Sequence, residues 1–206
     1  PMHVESVAWL SELKDVLYTS FYFASLIAYV RFISDRKSKL IILSLVLFVL
    51  SLLSKGQAVT LSLSIIAIDY LRGRKILSWK VISEKIPYFV LSFIFGIIAI
   101  DAQKSGQAVA VEHAENIFQQ LVYAVYAYTE YIIRLLLPYK LSAIYPYPKD
   151  ADGQMPHWLY FYLILFAIII WFFIYSWKRN KRYVFGIIFY TVNIFMLLQL
   201  LPVGKA

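Results

Sequence analysis

The chain has 206 residues, of which 61% are hydrophobic, 18% aromatic and only 16% charged, and its mean hydropathy is +0.69. Soluble domains carry roughly 25% charged residues, so an apolar excess of this size, gathered into long runs, excludes an ordinary water-soluble domain and makes lipid the main solvent. The net charge of +8 sits in short loops between those runs, a pattern that reports orientation in a membrane rather than nucleic-acid binding, and the lack of cysteine excludes disulfides, thiolate metal sites and cysteine nucleophiles.

In chain order, the first apolar run covers 16–33 and is followed by Asp35, Arg36, Lys37 and Lys39. A second covers 40–53 and ends at Ser54, Lys55 and Gly56; a third covers 58–70 and ends at Arg72, Arg74 and Lys75. Both are short for a hydrocarbon core that needs about 20 residues. They are expected to form a tight hairpin turning at Gly56, with ends shielded by neighbouring helices. A fourth run, 86–100, follows the basic stretch 80–85. A polar segment leads from Asp101 to Glu115, and a mixed apolar helix is expected over 117–137. Pro138, Pro146, Pro148 and the acidic 150–153 segment then mark a loop. The strongest spanning candidate is 158–177; Lys178, Arg179, Lys181 and Arg182 close it, and a last run covers 183–201.

These runs predict an all-α integral membrane protein, a polytopic bundle of about six spanning helices plus one interfacial or re-entrant helix. External loops are expected at about 1–14, 101–116 and 138–157. Both ends of the chain read as cuts through a longer protein, so 1–206 is taken as a partial transmembrane domain. No run alternates with period two as a β-barrel strand does, no glycine-rich phosphate loop is present, and no internal repeat is visible.

Charge fixes the expected orientation. The stretches 31–39, 72–85 and 178–182 hold 13 of the 20 Lys and Arg residues, with only Asp35, Asp69 and Glu84 on or beside them. Basic loops stay on the cytoplasmic side. With those three stretches inside, 117–137 has to begin and end on the external side. It carries Gln119, Gln120, Glu130 and Arg134 and several tyrosines (Tyr123, Tyr126, Tyr128, Tyr131), which suits an interfacial helix; a seventh span with inverted downstream topology is the alternative.

Polar groups at the mouth of a membrane bundle attract functional suspicion because they cost free energy there. On the external side these are His3, Glu5, Glu12, Lys14 and Asp15. His3 and Glu5 alone are too few for a metal site. Asp15 also has a plain reading, offsetting the dipole at a helix N-terminus. Lys55 suits either a lipid phosphate or simple snorkelling to the interface.

Six segments occur in one order: Pro1 to Trp9; Leu-Lys-Asp-Val-Leu at 13–17; Leu-Ser-Lys-Gly-Gln-Ala-Val-Thr-Leu at 53–61; Asp69 and Tyr70; Tyr-Pro-Tyr-Pro at 145–148; and Leu-Leu-Pro-Val-Gly at 200–204. Together they resemble the membrane half of bacterial tetratricopeptide-repeat glycosyltransferases. These are similar to the animal transmembrane-and-TPR protein O-mannosyltransferases of the C-type superfamily. The resemblance implies a multi-pass protein of the bacterial inner membrane that inverts the anomeric centre. The sugar, mannose in the animal relatives, would pass from a polyprenyl-phosphate donor to an acceptor on the external face, a protein Ser or Thr. The family's principal acidic motif lies in a loop ahead of Pro1, and Asp15 resembles a second acidic site.

On this resemblance Asp15 and Glu5 are the candidate catalytic carboxylates. His3, Lys14, Lys55, Tyr145 and Tyr147 are the candidate substrate-binding residues, and no cofactor or metal is named. Leu13 stands where the family usually has Arg, so no cation pair flanking Asp15 is expected from the motif. The implied partners are the bilayer, the donor lipid and a protein acceptor, with no nucleic acid. The chemistry fits this side of the membrane, since a lipid-linked sugar needs a cation for its leaving phosphate and a carboxylate for the acceptor hydroxyl. A non-enzymatic lipid or sugar transporter is the alternative, and it calls for polar binding groups in mid-span.

Overall fold

The computed structural model describes residues 13–105, 117–137, 148, 150 and 155–198. Among them every regular element is helical: α1 (Leu13–Asp35), α2 (Ser38–Ser54), a 3-10 turn (Gly56–Thr60), α3 (Leu61–Leu71), α4 (Trp79–Ser105), α5 (Ile117–Leu136), a 3-10 turn (His157–Leu159) leading into α6 (Tyr160–Trp177), and α7 (Lys181–Ile194) extended by a last 3-10 turn (Phe195–Leu198). Four stretches are long and apolar enough to cross a membrane: Leu13–Asp35, Trp79–Ala102, His157–Trp177 and Lys181–Leu198. Ser38–Ser54 and Gly56–Leu71 are apolar but shorter, and α5 is not among the four. The protein is an all-helical membrane protein. Large apolar side chains such as Phe93, Ile97, Phe161, Trp171 and Ile174 stand exposed, which hydrocarbon tolerates and water does not.

α1 and α2 form an antiparallel hairpin. The chain reverses at Arg36, held in the left-handed region at φ 56°, where a side chain costs strain that Gly would avoid; its N–H caps α1 by donating to the Phe32 carbonyl at 2.9 Å. Midway along, Ser25 and Ser44 each donate to the other's backbone carbonyl, at 2.7 and 2.9 Å. Small hydroxyl residues let helices approach closely and bond across the contact. Tyr88 of α4 joins by donating to Ser44 Oγ at 2.8 Å. At the far end Ser51 donates to the Tyr18 carbonyl at 3.0 Å. α2, about 25 Å long at 1.5 Å per residue, therefore runs alongside most of α1.

A second polar crossing ties α7 to this hairpin. The Tyr22 hydroxyl lies 2.7 Å from Ser64 Oγ, and the Asn193 amide donates to the same Ser64 oxygen at 3.3 Å. Tyr29, Phe48, Leu61, Ile65 and Tyr88 pack the fully buried core around these bonds, with Phe185 and Phe189 of α7 against them.

One element departs from the sequence expectation. α4 begins at Trp79, so the basic stretch read as a loop before residue 86 forms its first two turns. The reason is Lys85, whose ammonium is buried against Asp69. α5 packs between α6 and α7: Phe118 meets Tyr160, Tyr126 meets Trp158 and Tyr162, Tyr128 meets Phe166 and Tyr190, and Glu130 also meets Tyr162.

Candidate functional site

Asp15 sits in the first turn of α1. Lys55 is the residue at which α2 ends, its backbone extended at φ −156° and ψ 133°. The hairpin brings them together: Lys55 Nζ donates to Asp15 Oδ1 at 2.5 Å. Their side chains keep 28% and 27% of their surface exposed, open enough to meet a second molecule. Gly56 follows, and a Cβ there would come within 3.1 Å of Ala99 Cβ on α4. A glycine thus lets the 56–60 turn press against α4 and sets where Lys55 points.

An exposed ion pair contributes about 0–1 kcal/mol, so stability alone gives little reason to place a lysine opposite this carboxylate. Asp15 keeps the place of a helix-end carboxylate in the first turn of α1, and Lys55 is its ion-pair partner rather than a lone lysine. Lys14 is adjacent, with an exposed side chain. His3, Glu5, Tyr145 and Tyr147 lie outside the described residues.

Two features were not expected. The first lies between α5, α6 and α7: an open groove of 510 Å³ lined by residues including Leu121, Tyr128, Phe166, Phe173, Ile187 and Phe195. Two hydroxyls of its lining, Tyr128 and Thr191, lie 2.9 Å from one another and satisfy each other. What remains recognises hydrocarbon. Beside the groove, Glu130 accepts from Arg134 Nε at 2.8 Å and from the Tyr162 hydroxyl at 2.9 Å. Burial, and then the Glu130 carboxylate, push the Tyr126 phenol above its ordinary range.

The second is a buried ionic network at the opposite, basic end. Asp69 is 0% exposed. It accepts from Tyr29 at 3.1 and 3.2 Å, from Arg74 NH1 at 3.1 Å, and from Lys85. Arg74 NH2 donates to Glu84 at 2.6 Å, and Arg36 approaches Glu84 at 3.6 Å. Burial works against the Arg74 cation, but its bonds to Glu84 and Asp69 outweigh it and raise its pKa further. A lone Asp inside an apolar run was the signal for this network, since an ionisable residue there demands a partner.

Comparison with protein-family models, with curated proteins and with solved structures gives no match.

Proposed function

We propose that this chain is the membrane portion of an inverting glycosyltransferase of the bacterial inner membrane. It takes a sugar from a polyprenyl-phosphate donor and passes it to an external acceptor, a protein Ser or Thr. The observation that carries the reading is the Asp15–Lys55 pair, joined across 40 residues of sequence at the end of the bundle opposite its basic loops. In the transfer the acceptor oxygen attacks C1 of the sugar as the C1–O bond to phosphate breaks. The polyprenyl phosphate leaves with the bonding electrons, and the acceptor proton passes to a carboxylate. Asp15 supplies that carboxylate or orients the donor, and the Lys55 ammonium neutralises the departing phosphate.

The membrane arrangement proposed with it has six spans, α2 and the 56–71 segment being carried by their packing against α1. α5 lies at the external interface, in keeping with its Glu130–Arg134 pair and its tyrosines. A transporter finds less support. The mid-span polar groups of α1, α2, α3, α4 and α7 described above bond to one another, leaving none offered to a passing solute.

Membranes containing the full-length protein, given polyprenyl-phosphate mannose or glucose labelled in the sugar, should transfer label to protein. Flipping of the labelled lipid across the bilayer with no transfer to protein would replace this reading by the transporter. Orientation has its own check. The native chain has no cysteine, so single cysteines at Lys37, Lys75 and Arg179 should be shielded from an impermeant thiol reagent in intact cells, while Asp152→Cys labels. The opposite pattern inverts the arrangement.

A further inference from the structure

At the basic end, Arg36, Arg74 and Lys85 take up Asp69 and Glu84. The remaining Lys and Arg side chains there, among the described residues, have no carboxylate partner, and all are exposed. Two of the segments that carry them meet at one corner. Arg72 and Lys75 belong to the loop after α3, Lys178 to the turn after α6, and Lys181 opens α7. Lys181 Nζ lies 3.7 Å from where a Cβ on Gly73 would sit, and the Tyr70 and Trp177 rings stand 5.9 Å apart. Segments more than 100 residues apart in sequence thus share this corner.

The loop is also held rigidly. Gly73 takes φ +69°, a conformation that favours glycine, the Arg74 N–H donates to the Asp69 carbonyl at 3.0 Å, and the Arg74 side chain is locked into the buried network. With Arg74 turned inward, its neighbours Arg72 and Lys75 face outward. Exposed cations gathered without a carboxylate partner repel one another, and an anion relieves that repulsion. Aromatic rings beside them are at home at headgroup depth.

We propose that this corner binds the headgroup of an anionic phospholipid, its phosphate held between Arg72 and Lys75 on one side and Lys178 and Lys181 on the other. The inference needs only that the four long apolar helices cross a bilayer, and it stands apart from the transferase reading.

The test uses the whole chain in zwitterionic detergent, titrated with fluorescent phosphatidylglycerol and, separately, with phosphatidylcholine. Each cation near an anionic headgroup contributes about fivefold in affinity. The triple variant Arg72→Gln, Lys178→Gln, Lys181→Gln should therefore bind phosphatidylglycerol about 10²-fold more weakly than wild type. A matched triple at the other basic loop, Arg31→Gln, Lys37→Gln, Lys39→Gln, should stay within about threefold, less than one cation's share. An equal loss in both triples makes the attraction a diffuse field and overturns the site. Phosphatidylcholine binding as tight as phosphatidylglycerol overturns it too. Unchanged thermal unfolding of both triples in detergent excludes loss of fold as the cause.

Discussion

Asp69→Ala destabilises the bundle by about 3–5 kcal/mol, the usual consequence of removing one partner from a buried ion pair. The carboxylate is wholly enclosed and joins α3 to α1 through Tyr29, to the following loop through Arg74 and to α4 through Lys85. Without it Arg74, its side chain only 8% exposed, keeps Glu84 and the Tyr29 hydroxyl, and Lys85, 6% exposed, keeps only the Val81 carbonyl among the described residues. Arg74 has no escape by deprotonation, because a guanidinium keeps its proton at any working pH. The double change Asp69→Ala, Lys85→Met should recover part of the loss, since well-packed apolar groups replace a buried pair at little cost. Thermal unfolding of the purified full chain in one detergent reads both. A single variant within about 0.5 kcal/mol of wild type, the range of ordinary surface changes, would show that the network is incidental.

Asp15→Asn in the full-length enzyme slows sugar transfer by roughly 10²–10⁴-fold, the range for a positioned acid or base, while stability falls by at most about 1 kcal/mol. The two readouts separate because the pair is partly exposed and ties only the ends of one hairpin. Asn keeps the size and one acceptor oxygen, so a large rate loss points to the charge. Lys55→Gln leaves Asp15 without its cation and should also slow transfer, by about 10-fold or more if it faces the leaving phosphate. Glu5→Gln serves as the comparison on the same side of the membrane. Transfer by Asp15→Asn within about threefold of wild type, well short of that range, refutes the assignment and returns Asp15 to the plain role of a helix-end carboxylate.

Apolar runs are legible in one dimension, and the helices α1, α2, α6 and α7 lie where hydropathy and basic punctuation put them. The start of α4 was not legible, because Lys80, Glu84 and Lys85 look like loop residues until Asp69 is known to reach Lys85 across the fold. The six polar segments flagged Asp15 and Lys55 separately. Their meeting depends on a hairpin turning at Arg36, which lies 21 residues from Asp15 and 19 from Lys55, so arms of nearly equal length were the clue. The groove between α5, α6 and α7 had no counterpart in the sequence. Its walls come from three helices brought together by tertiary packing, which no local pattern encodes.

Asp69 also sets a timetable for synthesis. It leaves the ribosome 16 residues before Lys85, so α3 emerges with a carboxylate whose deepest partner does not yet exist. In the last turn of α3 an unpaired Asp opposes insertion by less than the about 2.5–3.5 kcal/mol of a helix centre, and at roughly 5–20 residues per second the wait is on the order of 1–3 seconds. During that interval α3 has reason to remain in the translocon or at its lateral gate, and it enters lipid together with α4 as a neutralised pair. The hairpin of α1 and α2 carries no such debt and is free to partition first, as the template against which the later pair docks.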